Sequence, residues 1–149
     1  MSHSDLHEAL DAVPNEGGMA SIEDPAGEVR VDVVEADRLG VRIRGVSVGH
    51  TQPVDVEVEA TTLPTRLRAI PEHLMPVEVA PVLGGATIRT APDDMRRREF
   101  FEIEVTPTET QVKRFKVSED GARAPVDWTL TRDQLEGLIH QARPPVAEE

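Results

Sequence analysis

The chain has no cysteine and no tyrosine, and its aromatic complement is three phenylalanines and one tryptophan in 149 residues. Without cysteine there is no disulfide framework, no thiol nucleophile and no cysteine-ligated zinc site. With so few aromatics, a core has to draw its burial energy from aliphatic side chains, each worth roughly 1.5–3 kcal/mol when fully buried. Valine is abundant, and β-branched residues suit strands, so a sheet is expected. Lysine is scarce as well, limited to Lys113 and Lys116. Nowhere do about 18 apolar residues stand in succession, and the opening "MSHSDLHEAL" carries acids where a secretion signal needs a basic start and an apolar run. The expectation is a soluble, cytoplasmic protein.

The balance of charge is acidic, with a formal net charge of -12. Affinity for nucleic acid or an anionic membrane rests on a local excess of Lys and Arg, so neither partner is expected. The acids are shared evenly between the halves, but the bases are not. Residues 1–75 hold six and residues 76–149 hold ten, which places any basic patch in the second half.

Residues 1–27 are rich in Gly and Pro and poor in apolar side chains, and they read as a mobile leader. Within it Leu6, Leu10 and Val13, behind a Ser4 cap, have the spacing of one short helix that forms on docking. From Glu28 the period becomes two. "EVRVDVVEA" and "VRIRGVSV" form a hairpin, and the apolar parity switches at Gly45 in the manner of a β-bulge. "VDVEVEA", with Val54, Val56 and Val58 alternating with acids, reads as a third strand. "TTLPTRLRAIPEHLMP" has helical spacing broken by Pro71 and reads as two short helical pieces. A hairpin turning at Gly84-Gly85 is expected to pair Leu83 with Ala86 and Pro81 with Ile88.

The stretch "EFFEIEVTP" and its partner "TQVKRFKV" read as a further hairpin. A connection at Thr108–Thr110 would set Phe101 opposite Val117, Ile103 opposite Phe115, Glu102 opposite Lys116 and Glu104 opposite Arg114. A register shifted by two, with Phe101 opposite Phe115, is the alternative. Near the end, Thr131 and Gln134 form a capping box ahead of a helix whose apolar stripe is Leu135, Leu138 and Ile139. Residues 144–149 read as a disordered tail.

No catalytic, metal or cofactor motif is present. His3 and His7 lack companions for a metal site. His50, in a loop, and His73, between prolines, belong to no hydrolase or zinc pattern. Asp93 and Asp94 follow Pro92 and suit a turn or helix start. The triplet Arg96-Arg97-Arg98 sends its side chains to both faces of a strand, so it is not a nucleic-acid grip. Phe100 shares its face with Glu102 and Glu104, which makes it either covered or an exposed interface anchor.

These readings predict one α+β domain over residues 28–143. Six to seven strands would form a mainly antiparallel sheet, with room to curl towards a barrel or split into a sandwich, and the C-terminal helix would pack on it. Two functions are compatible with it. One is a non-enzymatic protein-interaction module, such as an adaptor, inhibitor or immunity-like protein, contacting its partner through Arg96, Arg98 and Phe100 or self-associating through sheet edges. The other is a small-molecule-binding protein or enzyme with His50, His73, Asp93 and Asp94 at a pocket mouth. Neither reading calls for a cofactor.

Overall fold

The computed structural model describes residues 3–72, 74–80, 84–90 and 99–144. Its elements run α1 (His3–Asp11), β1 (Gly18–Asp24), β2 (Gly27–Ala36), β3 (Gly40–Gly49), α2 (Val56–Arg66), β4 (Leu74–Ala80) and β5 (Gly85–Thr90). They continue with β6 (Glu99–Val105), β7 (Glu109–Val117), β8 (Arg123–Val126), β9 (Trp128–Thr131) and α3 (Arg132–Ala142). The nine strands form one antiparallel sheet in the order β1-β2-β3-β7-β6-β5-β4, with β8 on β7 and β9 on β3. Its end strands β1 and β4 do not pair with each other, so the barrel expected as an alternative does not close.

The sheet forks rather than curling shut. Strands β3 and β7 pair only over Gly45–Gly49 and Glu109–Lys113 and then diverge. The gap is lined from both sides by one stretch of chain: β8 pairs with β7 over Arg114–Val117, and β9 pairs with β3 over Gly40–Ile43. Phe101 and Trp128 meet edge to face at 5.3 Å there, and the Arg114 guanidinium lies 4.5 Å over the Phe101 ring. Aromatics are few in this chain, and two of the four seal the fork.

Helix α1 touches β1 and β2, α3 touches β3 and β9, and α2 touches β4, β5 and β6, while α3 also touches both other helices. The helices thus form a layer along one face of the sheet. Val29, Val31 and Val33, Ile88 and Ile103 turn inward to meet Leu6, Leu10, Leu63, Leu67, Leu135, Leu138 and Ile139 in a single apolar core. The C-terminal helix is built as its sequence indicates: Thr131 Oγ1 accepts from the Gln134 amide at 3.0 Å and Gln134 Oε1 accepts from the Thr131 amide at 2.9 Å.

Several sequence-based expectations are corrected. The segment read as a mobile leader supplies α1 and β1, and Leu6 and Leu10 are fully buried. "VDVEVEA" is not a strand but the start of α2. Asp55 caps it by accepting from the amides of Glu57 at 3.0 Å and Val58 at 3.3 Å, and Val56, Glu59, Ala60 and Leu63 fall on its buried side. A side-chain cap plus an i, i+3/i+4, i+7 apolar stripe outweighs the β propensity of three valines. Of the two short helical pieces, the first is the end of α2, which runs through Pro64 to Arg66; a turn follows, and β4 begins at Leu74.

Hairpin registers differ as well. Strands β4 and β5 pair Ala80 with Gly85 and Val79 with Ala86, so Gly85 belongs to the strand and not to a two-residue turn; Pro81 and Leu83 lie outside the described residues. Strands β6 and β7 pair Phe100 with Phe115, Glu102 with Lys113 and Ile103 with Val112, which is neither register expected. The turn is tighter than the three-residue connection assumed. The Thr106 amide donates to the Glu109 carbonyl at 2.8 Å, leaving Pro107-Thr108 as the loop, and turn length sets hairpin register. The expected bulge in β3 is present: Asp32 pairs with Gly45 and Val33 with Ile43, so Arg44 is the extra residue.

Candidate functional site

The face of the sheet opposite the helices is covered by no described helix, and its side chains are set by strand parity. One rung of it crosses seven strands: Met19, Asp32, Gly45, Lys113, Glu102, Arg89 and Met75 are successive neighbours. Towards the β5–β8 side this face carries a cluster of charge and aromatic surface.

At its centre is Glu102. Its Oε1 accepts from Arg89 Nη2 at 2.7 Å and Nε at 3.2 Å, and its Oε2 accepts from Arg123 Nη2 at 2.6 Å. Burial pushes the Glu102 carboxyl up, but the hydrogen bonds from Arg123 and Arg89 more than reverse this and hold it below the ordinary glutamate value. The two guanidinium groups so fixed lie over aromatic rings. Arg123 is 4.0 Å from the Phe115 centroid and 5.5 Å from that of Phe100, and Arg89 is 5.3 Å from Phe100. Phe100 and Phe115 stack at 5.8 Å with 29° between their planes. One carboxylate therefore aligns two arginines as a lid on an aromatic pair.

Phe100 is 5% exposed, which decides the question its position raised. It is covered by Phe115, Arg89 and Arg123 and not by the C-terminal helix. The exposed members are the arginines, whose side chains are 35% and 43% accessible, and Lys113. Arg89, Arg123 and Lys113 stand against the buried Glu102 and the exposed Glu104 on this face, so the patch has a small local excess of cations in an acidic chain.

Of the residues singled out in the sequence, Arg96, Arg98, His73, Asp93 and Asp94 lie outside the described residues. His50 lies within them, and both ring nitrogens are engaged: Nδ1 is 3.0 Å from the Pro107 carbonyl and Nε2 is 2.8 Å from Thr110 Oγ1. Facing a carbonyl, Nδ1 must be the protonated nitrogen. His50 thus fastens the β3–α2 connection to the β6–β7 turn. That turn is separated from Phe100 by the length of β6, on the order of 20 Å.

The hollows among the described residues are small and open. One of about 90 Å³ is lined by Glu136, Ile139, His140 and Arg143, and one of about 160 Å³ includes Asp11, Asn15 and Arg132. His50 lines neither. No group of three or more His, Asp or Glu among the described residues is arranged to hold a metal ion, and no described helix is long and apolar enough to cross a membrane.

Arg89, Phe115 and Arg123 were missed in the sequence. Arg89 was legible by alternation from Ile88. Phe115 was placed on the wrong face by the register, and Arg123 sits in a stretch that reads as a turn. The class these features define is an α+β protein with an open, forked antiparallel sheet and an arginine-aromatic cluster on its bare face. No family model, curated protein or solved structure matches the chain.

Proposed function

We propose that the protein is a non-enzymatic interaction module, an adaptor, inhibitor or immunity-like protein, that docks a protein partner on the β5–β8 face of its sheet. The observation that carries this reading is the fixed pair Arg89 and Arg123 over Phe100 and Phe115. Arginine and aromatic residues dominate interface hot spots, and side chains already held in place lose little entropy on binding. With Lys113 beside them, the patch favours a partner that presents carboxylates.

The test is capture from native extract by the immobilised protein, compared with a variant combining Arg123→Gln and Lys113→Glu. A specific partner retained by the wild type and bound at least tenfold more weakly by the variant, which is less stable but still folded by circular dichroism at the assay temperature, is the expected result. Equal retention by both proteins, or no specific partner on the wild type, would overturn the reading.

A further inference from the structure

We infer that β1 is a dimerisation strand, pairing antiparallel with β1 of a second copy of this chain about a two-fold axis at Ser21. An open sheet has two edges, and unpaired backbone on an edge is a template for another strand unless the edge is broken or blocked. This forked sheet also has the inner edges of β8 and β9, each only four residues long and set in the fork, and its two outer edges differ. Strand β4 contains Pro76, which has no N–H, and its pairing with β5 slips between Pro76 and Glu78, leaving Val77 as an extra residue. Both features disable an edge. Strand β1 has neither: its seven residues pair one to one with β2 from Gly18–Val33 to Asp24–Gly27, without proline, lysine or a slip.

The β1–β2 turn fixes which backbone groups of β1 point outward. The β1–β2 turn closes on Asp24 and Gly27 around the two-residue loop Pro25-Ala26, and the pair flanking such a loop is hydrogen-bonded. Asp24, Ile22, Ala20 and Gly18 therefore direct their N–H and C=O groups to β2, and Met19, Ser21 and Glu23 direct theirs away. These three are also the side chains on the bare face, where they are exposed, while Ala20 and Ile22 are buried in the core. The loop itself is firmly held. Asp24 accepts from Arg143 Nη1 at 3.1 Å and from the Ala26 amide at 2.8 Å, and Arg143 Nη2 donates to the Gly27 carbonyl at 3.2 Å.

A second copy fits this edge in one register without conflict. With Ser21 opposite Ser21, Met19 faces Glu23 of the partner copy on the bare face, and Ala20 faces Ile22 on the core face. Apolar meets apolar, no like charges are opposed, and Met19, Ser21 and Glu23 of each copy exchange about six backbone hydrogen bonds across the junction. Because β4 is disabled, and β8 and β9 are four-residue strands inside the fork, β1 is the one long regular edge among the described strands, and a two-fold contact that consumes it stops at two chains instead of growing into a fibre. The net charge of -12 on each chain opposes the approach, so salt should strengthen the association. This edge is separate from the arginine-aromatic face, and failure of either contact leaves the other intact.

The experiment is sedimentation of the full chain from low micromolar to near millimolar concentration at low and high salt, alongside Ser21→Lys. That substitution places two lysines against each other on the axis at an exposed position. The expected result is a concentration-dependent rise to twice the chain mass, favoured by salt and weakened at least tenfold in Ser21→Lys, whose thermal midpoint when dilute matches the wild type. Hydrogen exchange supplies a second measurement: the amides of Met19, Ser21 and Glu23 should become protected as the protein is concentrated. A wild type that keeps the mass of one chain throughout would overturn the proposal. So would a dimer in which those three amides exchange as they do at dilution, and so would protection that arises only with an extended segment of a different protein.

Discussion

Glu102 shows how one side chain can organise a surface. Its carboxylate is buried on the sheet face that no described helix covers, and it keeps that position because two arginines bind it from either side. Its carboxyl titrates below the ordinary value of 4.5, so the contribution it makes to stability is fully present above that value and is lost as pH falls through its lowered folded value. Because both arginines are more than a third exposed to water, the contribution belongs at the modest end for a charged hydrogen-bonded group. Glu102→Gln is expected to lower stability by about 1–2 kcal/mol at neutral pH. In urea unfolding, the gap between variant and wild type should close progressively below pH 4.5. A gap independent of pH would mean that the pairing adds nothing beyond packing.

Among the elements, α2 is the one whose identity its sequence disguises. The valines and acids of "VDVEVEA" alternate as well as any strand, yet Val58 is 55% exposed, which a half-buried strand of that phase would not allow. Asp55→Ala is expected to cost about 1 kcal/mol through loss of the cap. Val58→Lys, at an exposed helical position, is expected to change stability by less than about 0.5 kcal/mol. Thermal and urea midpoints of the two variants check both statements, and a large loss in Val58→Lys would contradict the helical phase.

The contrast with α3 explains what was legible. Thr131, Gln134 and the stripe of Leu135, Leu138 and Ile139 carry their signal within a few residues, so the helix and its cap could be read directly. The valines of β2 and β3, and the bulge beside Gly45, were legible for the same reason. The registers of β4–β5 and β6–β7 depended on loop geometry that composition leaves open. Strand β8 folds back on β7 across the turn Ser118–Ala122, in a stretch that reads as a loop, and β9 depended on a distant partner, the start of β3, that no local pattern reveals. The site suffered most, since moving the β6–β7 register by three residues transferred Phe115 from the core face to the bare face and hid its stack with Phe100.

On the scale of the whole molecule, α1 and β1 belong to the same core as the rest. Leu6 is fully buried and Arg132 on α3 reaches back to α1, donating to Asp11 at 2.9 Å with its Nη1 2.8 Å from His7 Nδ1. Leu6→Ala is therefore expected to cost about 2–5 kcal/mol, the range for a buried leucine cavity. Circular dichroism and Trp128 fluorescence should follow one coincident transition in that variant. A loss of helical signal that leaves the tryptophan transition unmoved would show that the first helix is an appendage.

The fork between β3 and β7 bears on how the chain is made. Strand β3 finds its neighbours on that side only in β7 and β9, both synthesised long after it, and the second of these comes just ahead of α3. The meander of β1, β2 and β3 therefore leaves the ribosome with Val41, Ile43, Val46 and Val48 still waiting for their cover. Pairings this remote are slow to close, and partly made chains of this kind are prone to associate wrongly. The chain from Trp128 onward supplies both β9, which pairs the start of β3, and α3, which covers it, so safe delivery of the first three strands depends on a stretch made well after them.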